Sequence, residues 1–170
     1  MPLLRPDWVF DDYSSITVPF LQQLGVRLLL TDLDFTLAPK KAREPDEQVR
    51  TWLDALRAGG IDVVILSNNR NPHRVKRYCQ PLGINYIGHA GKPQRKSYRR
   101  AMAQFSVTAK ETAMLGDKLL TDCLGAHFSG MPMLMVEPKG GAVGPLQKVL
   151  HILQEPFKCA SNHDMRTKMQ

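Results

Sequence analysis

Apolar residues along this chain fall into two alternating patterns. Short, nearly continuous apolar runs occupy 26–32 (VRLLLTD), 61–67 (IDVVILS), 84–88 (INYIG), 112–117 (TAMLGD) and 132–137 (PMLMVE). Runs of this length with few polar interruptions predict strands buried within a sheet. Between them lie segments with helical spacing. In 44–58, Val49, Leu53 and Leu56 share a face, Pro45 suits the first turn and Gly59-Gly60 end the segment. Helices are likewise predicted over 71–80, capped by Asn71 and stopped by Pro81 and Gly83, and over 94–105, 119–128 and 142–153. Strand–helix alternation implies right-handed crossovers and a mostly parallel α/β sheet with helices on both faces. Residues 1–24 read as an extension packed on the domain, and the polar tail from 156 reads as loose. One domain spanning 1–170 is expected.

The length of 170 residues suits one well-buried core. The densest apolar stretch, 26–30, is interrupted by Arg27 and is far too short to span a bilayer. The first residues carry acids and no continuous apolar run, so no signal peptide is expected. Cys79, Cys123 and Cys159 are widely spaced and suggest neither a disulfide framework nor a zinc site. A reducing cytoplasm is the compartment this suggests.

The net charge of +7 is localised. From 63 to 110 there is no acidic residue but ten Lys or Arg, which leaves 13 basic against 16 acidic residues elsewhere. Such a block is either a solvated helix face or an attraction for polyanions: phosphorylated metabolites, anionic lipid headgroups or RNA.

In a parallel sheet the binding crevice lies beyond the carboxyl ends of the strands. Asp32 ends the first predicted strand, with Asp34 and Thr36 following. Ser67 ends the second, followed by Asn68. Lys92 follows the third, and Asp117 ends the fourth, with Asp122 five residues on. Three carboxylates brought together repel unless a cation intervenes. An oxygen-only set favours a hard ion, and Mg²⁺ fits best. A hydroxyl, an ammonium and Mg²⁺, with no activated Ser–His pair, point to phosphoryl transfer. Ser67 as a helix cap and Asp122 as a helix-terminal acid are the alternative structural readings.

The ordered series Asp32-x-Asp34-x-Thr36, Ser67-Asn68, Lys92 and Gly116-Asp117-x-x-x-Thr121-Asp122 resembles the four-motif signature of the haloacid dehalogenase (HAD) phosphatase superfamily. The strings TDLDFTL, LSNN, GKP and GDKLLTD look most like its subfamily IIIA-like YqeG branch, related to mitochondrial-type phosphatidylglycerophosphate phosphatases. The resemblance implies a Rossmann-like HAD fold with Asp32 as nucleophile and Asp34 as general acid and base. It further implies Mg²⁺ held by the Asp32 carboxylate, the Asp34 carbonyl and Asp117, with Asp122 direct or through water. Ser67, Asn68 and Lys92 would bind the phosphoryl oxygens, and Thr36 would orient the loop. Two positions depart from the branch: Phe35 replaces a small polar residue, often Asn, and Lys118 replaces a commoner Gln.

Neither the gap after Asp34 nor that between Ser67 and Lys92 can hold a cap domain, so a large or surface-bound substrate is expected. The leading substrate by resemblance is phosphatidylglycerophosphate, an anionic phospholipid met peripherally on the inner face of the membrane. The alternatives are an RNA- or ribosome-associated binding protein with vestigial phosphatase activity, and a soluble sugar or nucleotide phosphatase. The run Gly88–Pro93 fails as a phosphate-binding P-loop because Pro93 stands where Ser or Thr must meet Mg²⁺. Met131, Met133 and Met135 read as packing.

Overall fold

The computed structural model describes residues 3–141, 145–161 and 163–166. The predicted strands appear as β2 (Leu28–Thr31), β3 (Asp62–Leu66), β4 (Asn85–Ile87), β5 (Thr112–Gly116) and β6 (Met133–Val136). Two further strands were not legible in the pattern. Trp8–Phe10 forms β1, and His163–Asp164 forms β7. All pair in parallel, in the order β4-β3-β2-β5-β6-β1-β7.

The helices are α1 (Val18–Gln23), α2 (Glu47–Ala58), α3 (Pro72–Cys79), α4 (Arg95–Gln104), α5 (Leu124–Ser129) and α6 (Pro145–Cys159). Helix α2 starts after Pro45, because the Asp46 carboxylate accepts the Val49 N–H at 2.9 Å and fixes the cap there. Asn71 caps α3 as expected, accepting from the His73 N–H at 3.0 Å. The predicted helix 119–128 is instead a wide π-helical turn, Leu119–Cys123, running into α5. The cause is Asp122, whose carboxylate turns back to accept the Lys118 N–H at 3.1 Å. Residues 142–144, the expected start of the last helix, lie outside the described residues.

All four β2 positions are buried, and alternate side chains serve two cores. Leu29 packs with Val63, Ile65 and Leu115 beneath α2 and α3, whereas Leu28 and Leu30 pack with Val64, Leu66 and Met114 beneath α4 and α5. Met131, Met133 and Met135 lie in the second core, as their pattern predicts.

Both ends of the chain are more tightly incorporated than the sequence suggests. Residues 1–24 do more than pack on the domain, since β1 sits inside the sheet between β6 and β7. Trp52 Nε1 donates to the Ile16 carbonyl at 2.9 Å, and its ring meets Tyr13 edge-on. The tail expected to be loose from 156 continues α6 and then adds β7. It is held by ions: wholly buried Lys158 pairs with Glu137 at 2.8 Å and Glu155 at 3.0 Å, and Arg166 bridges Glu137, Glu155 and Asp164. The last residues, 167–170, lie outside the described residues.

The N-terminal segment is tied down by a charged histidine. Nδ1 of His127 lies 2.9 Å from the Leu3 carbonyl and Nε2 3.1 Å from Asp7 Oδ2, so both nitrogens face acceptors and both must carry protons. The Asp7 hydrogen bond pushes the imidazole up from 6.5 to about 10. Burial opposes ionisation of Asp7, but His127 and the Met133 N–H prevail and hold it below the usual carboxylate range. The pair's stabilisation is therefore complete below the free imidazole pKa and disappears as pH rises through about 10. At the acid end it is lost as pH falls through the Asp7 titration. Thermal melts of His127→Ala should show the largest deficit at about pH 5–6, roughly 2 kcal/mol or several degrees, shrinking toward about pH 10. A pH-independent deficit would mean that His127 acts through packing alone.

Candidate active site

Strand register brings the polar residues together. Thr31 pairs with Ile65 on one side and Leu115 on the other, so the residues just beyond these strand ends emerge side by side. Asp32 N–H still donates to the Leu115 carbonyl at 2.9 Å, and Ser67 N–H to Ile87 at 3.0 Å. These last bonds fix both backbones at the rim. The turn after β2 is closed by the Phe35 N–H donating to Ala38 at 2.7 Å. Phe35 adopts a left-handed conformation there, with φ 71°.

The centre is a buried group of alternating charges. Lys92 Nζ lies 2.8 Å from Asp32 Oδ1 and 2.7 Å from Asp122 Oδ1. Lys118 Nζ lies 2.7 Å from Asp117 Oδ1, 3.4 Å from Asp32 Oδ2 and 3.5 Å from the Asp34 carbonyl. Burial alone would neutralise Asp32, but the two ammonium groups hold its carboxyl below the usual range. Burial likewise works against the charge on Lys92, and Asp122 and Asp32 overcome it and push its pKa up. Asp117 is pushed up to about 6 by burial, with Asp32 and Asp122 adding repulsion that Lys118 only partly offsets. Asp122 is raised too, again chiefly by burial, against the pull of Lys92.

The remaining predicted residues take distinct places. Ser67 lines the cleft and its Oγ accepts the Asn69 N–H at 3.1 Å. The Asn68 side chain clamps the Lys92 peptide, donating to its carbonyl at 3.0 Å and accepting its N–H at 2.9 Å. Thr36 is buried and donates to Asp117 Oδ1 at 3.2 Å, so it orients a carboxylate. Asp34 opens onto the cleft, and both its oxygens are held. Asn69 Nδ2 donates to Oδ2 at 2.7 Å, and Arg74 Nη2 pairs with Oδ1 at 3.0 Å. Neither Asn69 nor Arg74 was singled out individually as a site residue. The only signals were the doubled Asn after Ser67 and the position of Arg74 in the acid-free block.

These residues surround an open cleft of about 420 Å³, with Lys40, Arg70 and Thr121 at its wall. Only oxygen ligands converge on its floor. One carboxylate oxygen from each of Asp32, Asp117 and Asp122 lies within 4.8 Å of the others. Oxygen donors of this kind suit a hard divalent cation. The Lys118 ammonium rests on oxygens of Asp32, Asp34 and Asp117 at the edge of this set.

Residues 10–130 match the haloacid dehalogenase-like hydrolase family. The chain belongs to that family. It is 34% identical over 139 residues to the probable phosphatase YqeG of Bacillus subtilis, covering 82% of this chain and 80% of that protein. Among solved structures it is similar to the cobalt-bound deoxy-D-mannose-octulosonate 8-phosphate phosphatase YrbI of Haemophilus influenzae. That likeness has TM-score 0.59 and 20% identity, over 83% of this chain and 78% of that one. The corresponding phosphatase of Moraxella catarrhalis, solved with magnesium, phosphate and a KDO molecule, matches at TM-score 0.50 and 16% identity. It covers 82% of this chain and 91% of that one. The expected HAD fold is what the chain adopts, with no cap domain among the described residues, and the protein is a HAD-family phosphatase.

Within the HAD family the position of Lys118 has a direct consequence. Its ammonium occupies the three oxygens that the resemblance gives to Mg²⁺, and its side chain is 40% exposed, so it can withdraw into solvent. A divalent cation bound to those oxygens would have to displace it. Lys118→Gln should therefore bind Mg²⁺ more tightly, on the order of tenfold, by isothermal titration calorimetry. Asp117→Asn should weaken binding in either background. Equal affinities for wild type and Lys118→Gln would show that the ammonium does not compete.

Proposed function

We propose that this protein hydrolyses a phosphate monoester through an aspartyl-phosphate on Asp32. The observation that carries the reading is a buried carboxylate kept ionised between Lys92 and Lys118, with a second carboxylate two residues along the chain. An ionised Asp32 oxygen attacks phosphorus, and the bond from phosphorus to the ester oxygen breaks. Asp34 gives its proton to that departing oxygen, then takes a proton from the water that attacks the phosphoryl-aspartate. Phosphate leaves and Asp32 is restored. Ser67 and Lys92 bind the transferring oxygens. Asn68 positions Lys92 by holding its peptide from both sides.

Asp32, the Asp34 carbonyl and Asp117 would hold Mg²⁺, with Asp122 close behind. The ion supplies charge neutralisation for the phosphoryl oxygens when bound. Asp122 also grips the Lys118 N–H and Lys92, so it ties the floor together in any state. Asn69 and Arg74 are positioning residues that hold the Asp34 carboxyl group in one orientation.

For the substrate we infer a phosphate on a large or membrane-borne molecule, with phosphatidylglycerophosphate the leading candidate. The open cleft, the absence of a cap and the basic residues Lys40, Arg70 and Lys118 at its wall support this reading. No helix of the described residues is long and apolar enough to cross a membrane, so a lipid substrate would be met at the surface.

The test is Mg²⁺-dependent phosphate release from phosphatidylglycerophosphate in mixed micelles. Wild type should release phosphate, and both EDTA and Asp32→Asn should abolish release, the mutant by about 10⁴-fold or more. Arg74→Ala should lower kcat by about 10²-fold through misplacement of Asp34, with Arg74→Lys recovering part of the loss. Cleavage of an aryl or sugar phosphate but not of the lipid would keep the chemistry and remove the lipid assignment. Cleavage of none would favour a nucleic-acid-binding role for the basic block.

A further inference from the structure

Helix α6 is oriented inside out. A surface helix ordinarily buries its apolar stripe and offers its charges to water. Here the charged side is turned inward, where Lys158, Glu155 and His151 join Glu137 and Arg166 in one ion cluster. The cluster leaves the apolar side facing out. Val149, Leu150, Ile152, Leu153 and Phe157 are 40–67% exposed, and Leu120, on the turn after β5, is 59% exposed.

This face is continuous with the catalytic cleft. Leu4, Leu119, Leu120, Leu150, Leu153 and Phe157 enclose a groove of about 330 Å³. Lys118 and Thr121 line both that groove and the polar cleft. A ligand whose phosphate sits against Asp32 and Lys92 thus has apolar surface beside its other end. The groove is lined almost wholly by hydrocarbon, and two of its polar acceptors are already engaged: Gln154 accepts the Leu119 N–H at 2.8 Å, and the Thr121 carbonyl accepts from Tyr98 Oη at 3.2 Å. A peptide laid there would find few partners for its backbone, whereas hydrocarbon needs none.

We propose that the exposed face of α6, together with Leu120, is the surface by which this protein docks on a bilayer containing anionic lipid. The acyl region lies against Leu150, Leu153 and Phe157, and the phosphate headgroup reaches the cleft past Lys118. Lys40 and Arg70 at the wall of the adjoining cleft complement such a surface. Apolar insertion beside basic residues is the mode by which amphipathic helices lie in a membrane interface. The inference rests on the phosphatase reading for the direction in which the substrate leaves the cleft.

The experiment is co-sedimentation of the full chain with phosphatidylcholine vesicles, with and without phosphatidylglycerol, for wild type, Ile152→Glu and Leu153→Glu. Both residues are exposed, so both variants should melt at the wild-type temperature, which serves as the folding control. Wild type should bind the anionic vesicles, and each variant should lose on the order of tenfold in partitioning. Failure of wild type to bind, or binding indifferent to both substitutions, overturns the proposal. A wild-type dimer in sedimentation equilibrium that Leu153→Glu converts to monomer also overturns it, in favour of a second copy on this face. Micelle hydrolysis reports separately. Loss of vesicle binding in the variants, with no lipid hydrolysis by wild type, would retain the docking surface and remove the substrate assignment.

Discussion

The site depends on holding three carboxyl groups together where water is scarce. Asp32, Asp117 and Asp122 are buried within a few ångströms of one another, an arrangement that burial and mutual repulsion both oppose. Lys92 and Lys118 make it tenable, one from beneath and one from the cleft side. The two are not equivalent. Lys92 is fully enclosed and bridges Asp32 to Asp122, so removing it would strand buried charge at a cost of about 3–5 kcal/mol. Lys118 is partly in water and can be replaced by another cation. A fully buried counter-ion and a partly exposed one therefore share the same carboxylate, Asp32.

Much of the surrounding fold serves that balance through close backbone approach. A Cβ at Gly116 would overlap the Asp122 carboxylate, so only glycine lets the end of β5 lie against that side chain. The wide turn that follows brings Asp122 back toward its own strand, and π-type turns of this kind recur at functional sites. A Cβ at Gly125 would overlap the Tyr98 ring. Glycine there lets α4 press against α5, and Tyr98 Oη donates to the Thr121 carbonyl at the base of the same turn. Helix packing and charge placement are thus one construction.

The central sheet and most of the site were legible because each rested on a local signal. Five strands announced themselves as apolar runs, and the polar residues at their ends converge as the parallel arrangement requires. What escaped notice depended on long-range partners. β1 is three residues long and β7 two, too short for any period, and both exist because β6 and the Glu137–Arg166 cluster hold them. The Thr36 hydroxyl donates to Asp117 and the Asn68 side chain clamps the Lys92 peptide, contacts between distant segments that no spacing announces. Arg74 reaches Asp34 across forty residues of sequence, a distance over which spacing carries no information.

The two departures from the branch pattern form a single physical pair. Asn adopts a left-handed backbone readily, whereas a bulky residue at such a position costs about 1–3 kcal/mol. Phe35 nevertheless holds φ 71° with its ring nearly buried, and the Lys118 ammonium lies 5.5 Å from the ring centroid. Ring burial and the cation–π contact offset that strain. The same contact gives Lys118 a second attachment beside its carboxylates. Phe35 and Lys118 thus hold each other in place at the edge of the carboxylate cluster.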